Sequence, residues 1–268
     1  METADLTGKT ALITGAAGGI GAALALALSR RGADVALVDI DRPGVERVAA
    51  TLSAFDTRLL KLTCDVTSDH QVTELAEAVL GSWGHLDLLF NNAGMLPMLA
   101  PPEELDMDAW RLAIDVNLLS VIRGVQAFLP HMLERGGYIV NTASLAGLVP
   151  SDPEEVIYTA TKWGVVGYTL GIAASLRPRG VGISCVVPGP VDTRMLAATR
   201  LPPGIAVIAP DELAELVLEG IAAERMMIFS GAAYAGYVTG VHSDYDRAVR
   251  SAIEQFGASS NNEHGAPR

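Results

Sequence analysis

Two side chains that can exchange protons, Tyr158 and Lys162, lie four residues apart in the sequence. On a helix, residues at this spacing share a face. Because a nearby ammonium favours the phenolate, Lys162 is expected to lower the pKa of Tyr158 from its ordinary value of about 10. Such a tyrosine can act as a general acid and base. The alternative is that Tyr158 and Lys162 lie on a helix surface without a catalytic role, since both residue types are common there.

A glycine-rich turn at residues 14–21, with the sequence TGAAGGIG, is a candidate phosphate site. The turn follows a short apolar run and leads into a helical pattern. Glycines allow a tight turn and close approach of a pyrophosphate, and the free N–H groups at a helix start favour negative charge. This strand–turn–helix setting favours dinucleotide binding over the alternative, a turn without a ligand.

Asp39 ends the second apolar run, 18 residues beyond Gly21. A carboxylate at this place can accept hydrogen bonds from both hydroxyls of an adenosine ribose and would repel a 2′-phosphate. The glycine turn holds no Arg or Lys for such a phosphate, and Arg42 is the nearest cation after Asp39. The pattern predicts NAD as the cofactor, with NADP as the alternative. The other interpretation of Asp39 is an ordinary solvated acid.

Further short motifs follow in order along the chain. They are Asp65-Val66, NNAG at residues 91–94, Asn117, SLAG at residues 144–147 and PGPVDT at residues 188–193. Together with the glycine turn and the Tyr158–Lys162 pair, they resemble the short-chain dehydrogenase/reductase superfamily. The resemblance covers about residues 6–193 well and extends more loosely to residue 229.

The resemblance implies an NAD-dependent oxidoreductase that interconverts a secondary alcohol and a ketone. Tyr158 would move the proton of the substrate oxygen, and Lys162 would hold the nicotinamide ribose and tune Tyr158. Ser144 would donate a hydrogen bond to the substrate oxygen, and Asn117 would anchor a water of the proton relay. The alternatives are a turn serine for Ser144, a polar helix-interior residue for Asn117 and a helix cap for Thr193.

The resemblance also implies which residues contact the cofactor. Asn91 has a second possible task, which is to brace the sheet. The implied contacts, besides Tyr158 and Lys162, are Gly15, Gly19, Ile20, Gly21, Asp39, Asp65, Val66, Asn91, Ala93, Gly94, Pro188, Gly189, Val191 and Thr193.

The loops that would line a substrate pocket are mostly apolar. Arg194 and Arg200 are their only cations, while Glu154 and Glu155 add negative charge near the entrance. A neutral, apolar and fairly bulky alcohol or ketone is therefore predicted, unless these side chains merely pack the loops. The predicted substrate contacts are Ser144, Leu145, Met95, Met195 and Leu196, within a wider apolar set of Leu96, Met98, Leu99, Leu148, Val149, Leu201, Ile205, Val207 and Ile208.

The elements that must position these residues alternate along the chain. Short, nearly continuous apolar runs at 10–14, 34–39, 59–64, 86–90, 138–142, 183–187 and, more weakly, 226–229 alternate with helical patterns, among them 68–83, 110–129 and 212–224. The alternation predicts a single α/β domain with a Rossmann-type, doubly wound parallel sheet of about seven strands and helices on both faces.

The sequence departs from the family pattern in two places. The segment 150–155 is about one residue longer than usual, and a bulged loop that leaves Ser144 in place is expected there. At the C-terminus, Ser243 is predicted to cap a last helix that runs through about Phe256 and stops at Gly257. The domain is thus predicted to span residues 1–257, with a disordered tail at 258–268. A homodimer through the helix that carries Tyr158, or a homotetramer, is expected. The tetramer is the less favoured of the two because the C-terminus departs from the family pattern.

Composition narrows the classes of function. With a formal net charge of −12 over 268 residues, the chain would be repelled by nucleic acid. Two cysteines in apolar runs favour buried thiols over a disulfide. The five histidines have no metal-ligand spacing. No signal peptide and no apolar run of membrane length are expected, so the chain is predicted to be soluble and cytoplasmic.

Two alternatives to the oxidoreductase are a lyase and a non-catalytic NAD-sensing protein. A lyase built on the same fold would lack a working dinucleotide turn and would not carry Lys162. A non-catalytic NAD-sensing protein would have lost a member of the Asn117, Ser144, Tyr158 and Lys162 set. Because the glycine turn and all four side chains are present, the oxidoreductase is favoured.

Overall fold

The computed structural model describes residues 5–199, 201 and 205–260. Seven parallel strands form one sheet in the order β3-β2-β1-β4-β5-β6-β7. The chain order reverses between β1 and β4, and in such sheets ligands bind beyond the carboxyl ends of the strands at this reversal. The strands are β1 (Thr10–Thr14), β2 (Asp34–Asp39), β3 (Leu59–Thr63), β4 (Leu88–Asn91), β5 (Gly137–Thr142), β6 (Val181–Val187) and β7 (Met227–Phe229).

The predicted Rossmann-type fold is confirmed, with small shifts at the strand ends. Side chains along β1 and β4 are buried throughout, as expected for strands covered on both faces. Strand β4 begins two residues later than predicted, at Leu88. The preceding Asp87 accepts a hydrogen bond on its carboxylate from the backbone N–H of Thr10 at 2.9 Å.

Helices cover both faces of the sheet. One apolar core lies between the sheet and α1, α2 and α7, and another lies between the sheet and α3, α5 and α6. The bounds are α1 (Gly19–Ser29), α2 (Arg42–Leu52), α3 (Asp69–Trp83), α4 (Met107–Ile114), α5 (Ser120–Arg135), α6 (Val156–Leu176), α7 (Pro210–Ala222), α8 (Ala232–Ser243) and α9 (Tyr245–Ser260).

Helices α4 and α5 are joined by a π turn at Asp115–Leu119, so one helical segment runs from Met107 to Arg135. By length and composition alone this segment could cross a membrane, contrary to the expectation that no run is long enough. Its buried face, which includes Val125, Phe128 and Met132, packs on the sheet instead. Core helices pass the same length test, so the length is weak evidence for a membrane span.

The C-terminal helix was predicted incorrectly at both ends. Asp244, not Ser243, caps α9, because its carboxylate accepts from the N–H of Arg247 at 2.9 Å. Ser243 instead ends α8, and its hydroxyl donates to the carbonyl of Gly240 at 2.7 Å. Gly257 does not stop the helix, which continues to Ser260. The rest of the predicted tail, residues 261–268, lies outside the described residues.

Both cysteines are free and buried, as predicted. Cys64 follows β3 and Cys185 lies in β6. The described part of the chain contains no cluster of His, Cys, Asp and Glu that could hold a metal ion. His242 makes a structural contact: it lies between the rings of Trp163 and Tyr245, and its Nε2 is 2.7 Å from the carbonyl oxygen of Leu148.

Candidate active site

A cavity of about 510 Å³ opens beyond the carboxyl ends of β4, β5 and β6. Tyr158 and Lys162 reach it from α6, and Ser144 reaches it from the turn after β5. Four residues expected to contact the cofactor, Pro188, Gly189, Val191 and Thr193, line the side after β6, and Ile20 and Gly94 complete this part of the wall. The fold thus brings side chains from distant parts of the sequence to one site.

The glycine turn between β1 and α1 is shaped so that side chains are excluded. Gly15 has φ +69°, and a Cβ on it would lie 2.9 Å from Cα of Ala93. A Cβ on Gly21 would lie 2.2 Å from the carbonyl oxygen of Gly15. No side chain caps the start of α1, whose first N–H groups therefore remain available to an anion. This cradle fits the pyrophosphate of a dinucleotide.

Asn92 holds the glycine turn against the end of β4. Its side-chain Nδ2 donates to the carbonyl of Thr14 at 3.0 Å, and its backbone N–H donates to the Thr14 hydroxyl at 3.0 Å. The N–H of Ala93 donates to the same hydroxyl, also at 3.0 Å. Asn92 lines the cavity but was missed in the sequence, where the doubled asparagine of the NNAG motif was the available signal.

Asn91 braces the structure and does not line the cavity. Its Nδ2 donates to Oδ1 of Asn141 at 2.9 Å, and its side chain is almost fully buried. On its other side, Asn91 meets Gly124 of α5 so closely that a Cβ there would lie 2.1 Å from Oδ1. Of the two tasks proposed for Asn91, the contacts support the bracing of sheet and helix.

Asp39 lies at the carboxyl end of β2, beside the glycine turn. One oxygen of its carboxylate accepts from the N–H of Ala17 at 3.0 Å, and the other accepts from the N–H of Asp41 at 3.0 Å. Each carboxylate oxygen has a second lone pair, so both can still accept from a ribose. Asp65 and Val66 follow β3, next to β2 in the sheet, which is where an adenine beyond that ribose would lie.

The pKa of Tyr158 differs from the sequence prediction. Burial raises it to about 12, a hydrogen bond from Ser144 opposes this rise, and the charge of Glu155 adds to it. Lys162 was expected to lower this pKa, and that prediction is wrong, since the pKa is raised. The Lys162 ammonium lies 5.6 Å from the Tyr158 ring centroid and donates to the carbonyl of Thr142 at 3.0 Å. Burial lowers the pKa of Lys162 to about 8.

Asn117 lies in the π turn and is fully buried. Its Oδ1 accepts from the N–H of Met95 at 2.7 Å, and its Nδ2 donates to the carbonyl of Met95 at 2.9 Å and to the Thr161 hydroxyl at 3.2 Å. The side chain therefore positions the loop after β4 and the helix that carries Tyr158. Its predicted role in anchoring a relay water stays a prediction.

About half of the predicted apolar pocket residues line the cavity. Met95 does not, although it was expected to contact substrate: Asn117 holds its backbone, and the neighbouring Leu96 reaches the cavity instead. Tyr234 and Tyr237 of α8 also line the cavity and were missed. The cavity includes Leu96, Leu145, Val149, Met195, Leu196, Leu201 and Ile205, and does not include Met98, Leu99, Leu148, Val207 or Ile208.

Of the two arginines of these loops, Arg194 belongs to the described residues, and it does not line the cavity. An Nη of Arg194 lies 3.8 Å from where a Cβ on Gly18 would be, so the guanidinium faces the glycine turn. Arg200 lies outside the described residues. Lys162 is the one cation among the described residues that line the cavity.

The longer loop at residues 150–155 leaves Ser144 in place, as expected, because Ser144 still reaches Tyr158 through a hydrogen bond. The loop brings two carboxyl groups to the cavity wall, those of Asp152 and Glu155. Burial, and to a smaller extent the neighbouring Asp152, raise the pKa of Glu155 to about 7. The sequence indicated negative charge here, but at the entrance and not beside Tyr158.

Known proteins resemble the chain over most of its length. The family model described as short chain dehydrogenase matches residues 9–203. D-threitol dehydrogenase of Mycolicibacterium smegmatis is 41% identical over 71% of this chain and 73% of its own length. The 1-deoxy-11-beta-hydroxypentalenate dehydrogenase of Streptomyces exfoliatus is 34% identical over 83% of this chain and 82% of its own.

Solved structures agree with these relatives. A short-chain dehydrogenase/reductase from Burkholderia phymatum in complex with NAD is 31% identical, with a TM-score of 0.81 over 90% of this chain and 95% of that one. An alcohol dehydrogenase from Thermococcus sibiricus complexed with 5-hydroxy-NADP is 30% identical, with a TM-score of 0.75 over 82% of this chain and 95% of that one.

The chain belongs to the short-chain dehydrogenase/reductase family, whose fold binds a nicotinamide dinucleotide. It is thereby an oxidoreductase of a family that includes dehydrogenases of small-molecule alcohols. Structural neighbours bind NAD in one case and an NADP derivative in another, so family membership alone does not select the cofactor.

Proposed function

We propose that this chain is an NAD-dependent dehydrogenase or reductase that interconverts a neutral, largely apolar secondary alcohol and the corresponding ketone. The observation that carries the proposal is the placement of Tyr158, Ser144 and Lys162 at one cavity with mostly apolar walls. Apolar walls with a few convergent polar groups are typical of small-molecule sites.

Each polar residue of the site has a distinct task in this reaction. When bound, the nicotinamide cofactor gives or takes the hydride. Tyr158 gives a proton to the carbonyl oxygen during reduction and removes one from the alcohol during oxidation. Ser144 hydrogen-bonds the same oxygen and so orients it. Lys162 supplies positive charge close to Tyr158, and Asn117 positions the loop and the helix around them.

NAD is proposed over NADP because of Asp39. Its carboxylate can accept from both ribose hydroxyls, whereas a 2′-phosphate would meet its negative charge at short range. The alternative, an NADP-using carbonyl reductase, would need a cation to outweigh Asp39. A lyase or an NAD-sensing protein on this fold is less well supported, since the glycine cradle and all four polar residues of the site are present.

The substrate is proposed to be neutral because the described cavity offers no arginine to an anion. Arg194 faces the glycine turn, and Asp152 and Glu155 would repel a carboxylate or phosphate. The apolar lining suits a bulky carbon skeleton.

A series of secondary alcohols of increasing chain length tests this substrate class. With NAD, each added CH₂ is expected to raise kcat/KM by up to about fourfold, equivalent to ~0.8 kcal/mol, until the cavity is full. Hydroxy acids of equal length, measured in parallel, are expected to be poorer substrates. If the hydroxy acids react faster and Arg194→Leu removes that advantage, Arg194 is a substrate anchor and the neutral class is wrong.

Alcohol oxidation is expected to accelerate as pH rises. Burial lowers the pKa of Lys162 to about 8, so the Tyr158–Lys162 pair loses a proton in mildly alkaline solution. Oxidation must remove the alcohol proton and therefore needs the pair in the form with one proton fewer, which predominates above that pKa. In the reverse direction, ketone reduction is expected to slow over the same range. A flat profile of kcat/KM for oxidation between about pH 6 and 9 would contradict this assignment.

We further propose that the protein works as a homodimer or homotetramer in a reducing compartment such as the cytoplasm. Apolar side chains of α4, the π turn and α6, including Leu112, Leu119 and Leu170, are exposed in the single chain. Such side chains are typical of faces that are covered in an assembly. The free thiols of Cys64 and Cys185 support the compartment.

A further inference from the structure

Glu155 stands out among the residues of the cavity because nothing in the proposed reaction uses it. It occupies the N-cap position of α6, yet its side chain accepts no capping hydrogen bond from the helix. It lines the cavity. Replacing the side chain therefore removes no helix cap, and its carboxyl group is available for another purpose.

The surroundings of Glu155 leave its carboxyl group with acceptor capacity. Among the described residues, no ion pair reaches Glu155 or Asp152, and the one cation on the cavity wall, Lys162, donates to Thr142. The Ser151 side chain hydrogen-bonds Glu155. Since a carboxylate has about four lone-pair sites, this one bond leaves room for a donor from inside the cavity.

Asp152 gives the local loop its shape. It is 6% exposed, and its Oδ1 accepts from the N–H of Glu154 at 2.9 Å, while its carbonyl accepts from the N–H of Glu155 at 2.9 Å. These bonds hold the loop next to the start of α6 and fix the backbone of Glu155. The desolvated Glu155 carboxyl group would gain from a hydrogen-bond donor, because a polar group buried without enough partners is costly.

Glu155 precedes Tyr158 by three residues at the start of the same helix, so the two side chains lie on one face. One helical turn rises ~5.4 Å. A substrate whose carbinol oxygen meets Tyr158 therefore brings a second polar group, three or four carbons away, to Glu155.

We infer that Glu155 determines substrate specificity by accepting a hydrogen bond from a second hydroxyl of the substrate, one that is not oxidised. This inference rests on the proposed function and narrows it from neutral secondary alcohols in general to diols and hydroxylated rings. A hydroxyl fits this place better than an ammonium. A hydroxyl donates one hydrogen bond, whereas an ammonium has three donors that need acceptors, and the rest of the cavity wall is mostly apolar.

The test compares 1,4-cyclohexanediol with 4-methylcyclohexanol, in which a methyl group replaces the second hydroxyl. The measured quantity is the ratio of kcat/KM for the diol to kcat/KM for the methyl compound, with NAD. Glu155→Met, which removes the acceptor, is expected to lower this ratio about tenfold, the loss of a hydrogen bond to a charged acceptor. Glu155→Gln, which keeps an acceptor oxygen, is expected to retain the ratio within about threefold.

The matched control is Glu134→Met. Glu134 is exposed near the end of α5, at the amino ends of the strands, whereas the cavity lies beyond their carboxyl ends. Its replacement is expected to leave the ratio unchanged. A structural fault caused by Glu155→Met would lower both rates together and leave the ratio intact, which would overturn the inference.

The remaining outcomes separate this inference from the proposed function. If the wild-type protein oxidises the methyl compound as well as the diol, the role of Glu155 is wrong and the proposed function stands. If 4-aminocyclohexanol exceeds the diol and Glu155→Gln abolishes that preference, the recognised group is an ammonium and the hydroxyl inference fails. If the protein oxidises no alcohol with either cofactor, the proposed function fails as well.

Discussion

Tyr158→Phe is expected to lower kcat for alcohol oxidation by about 10²-fold or more, as for the loss of a positioned acid/base. The phenyl ring keeps the packing of the tyrosine, but the group that exchanges the proton is gone. Binding of NADH is expected to change little, because the ring still fills its place on the cavity wall. Steady-state kinetics with NAD and a fluorescence titration with NADH measure the two effects separately.

Tyr168→Phe is the matched control for this variant. Tyr168 lies on the same helix, three turns further along, and packs into the apolar core away from the cavity. Its replacement is expected to leave kcat within about twofold, since it has no part in proton transfer. Retention of most activity by Tyr158→Phe, with Tyr168→Phe normal, would mean that another group carries the proton.

Asp39→Ala is expected to change the cofactor preference by at least about tenfold in favour of NADP. The wild-type carboxylate repels a 2′-phosphate and accepts from the ribose of NAD, and both effects disappear together. The value of kcat/KM with NAD is expected to fall as well, because Asp39 also holds the N–H of Ala17 in the glycine turn. Measuring kcat/KM with each cofactor at saturating alcohol gives the ratio.

Asp56→Ala serves as the control for net charge. Asp56 is an exposed acid just before β3, at the amino ends of the strands, whereas the cofactor cradle lies at their carboxyl ends. The Asp56→Ala variant removes the same charge as Asp39→Ala and is expected to leave the ratio of kcat/KM with NAD to kcat/KM with NADP unchanged. Equal use of both cofactors by the wild-type protein would contradict the role given to Asp39.

Much of the fold could be predicted because its signals are local. The strand runs are nearly continuously apolar, and α3 is bounded by residue types that are typical of helix ends: the Ser68 hydroxyl caps its start, and Gly84 after its last residue adopts φ 75°. Where two residues competed for one task, local pattern was not enough. Ser243 and Asp244 can each cap a helix. Which of them caps α9 depends on where α8 ends. The end of α8 depends in turn on tertiary contacts, such as the one between His242 and Leu148.

The residues of the candidate site could be predicted better than their pKa values and their exact contacts. The spacing of Tyr158 and Lys162 indicated proximity, but the pKa of Tyr158 depends chiefly on how deeply α6 buries it. Burial is the largest cause of the raised pKa, and the hydrogen bond from Ser144 opposes it. Likewise, Met95 and Leu96 look equivalent in the sequence. Only the side-chain bonds of Asn117, made across 22 positions of sequence, decide that Met95 is held back while Leu96 enters the cavity.

The π turn at Asp115–Leu119 restricts how this protein can tolerate insertions and deletions. Each residue of a helix turns the chain by about 100°, so loss of Leu118 or Leu119 would rotate Asn117 relative to Val125 and Phe128. The helix could then keep Val125 and Phe128 on the sheet or keep Asn117 on Met95, but not both. Changes of length near the cavity are therefore best accommodated in the loop between β4 and α4, where they can reshape the pocket without disturbing the proton-transfer residues.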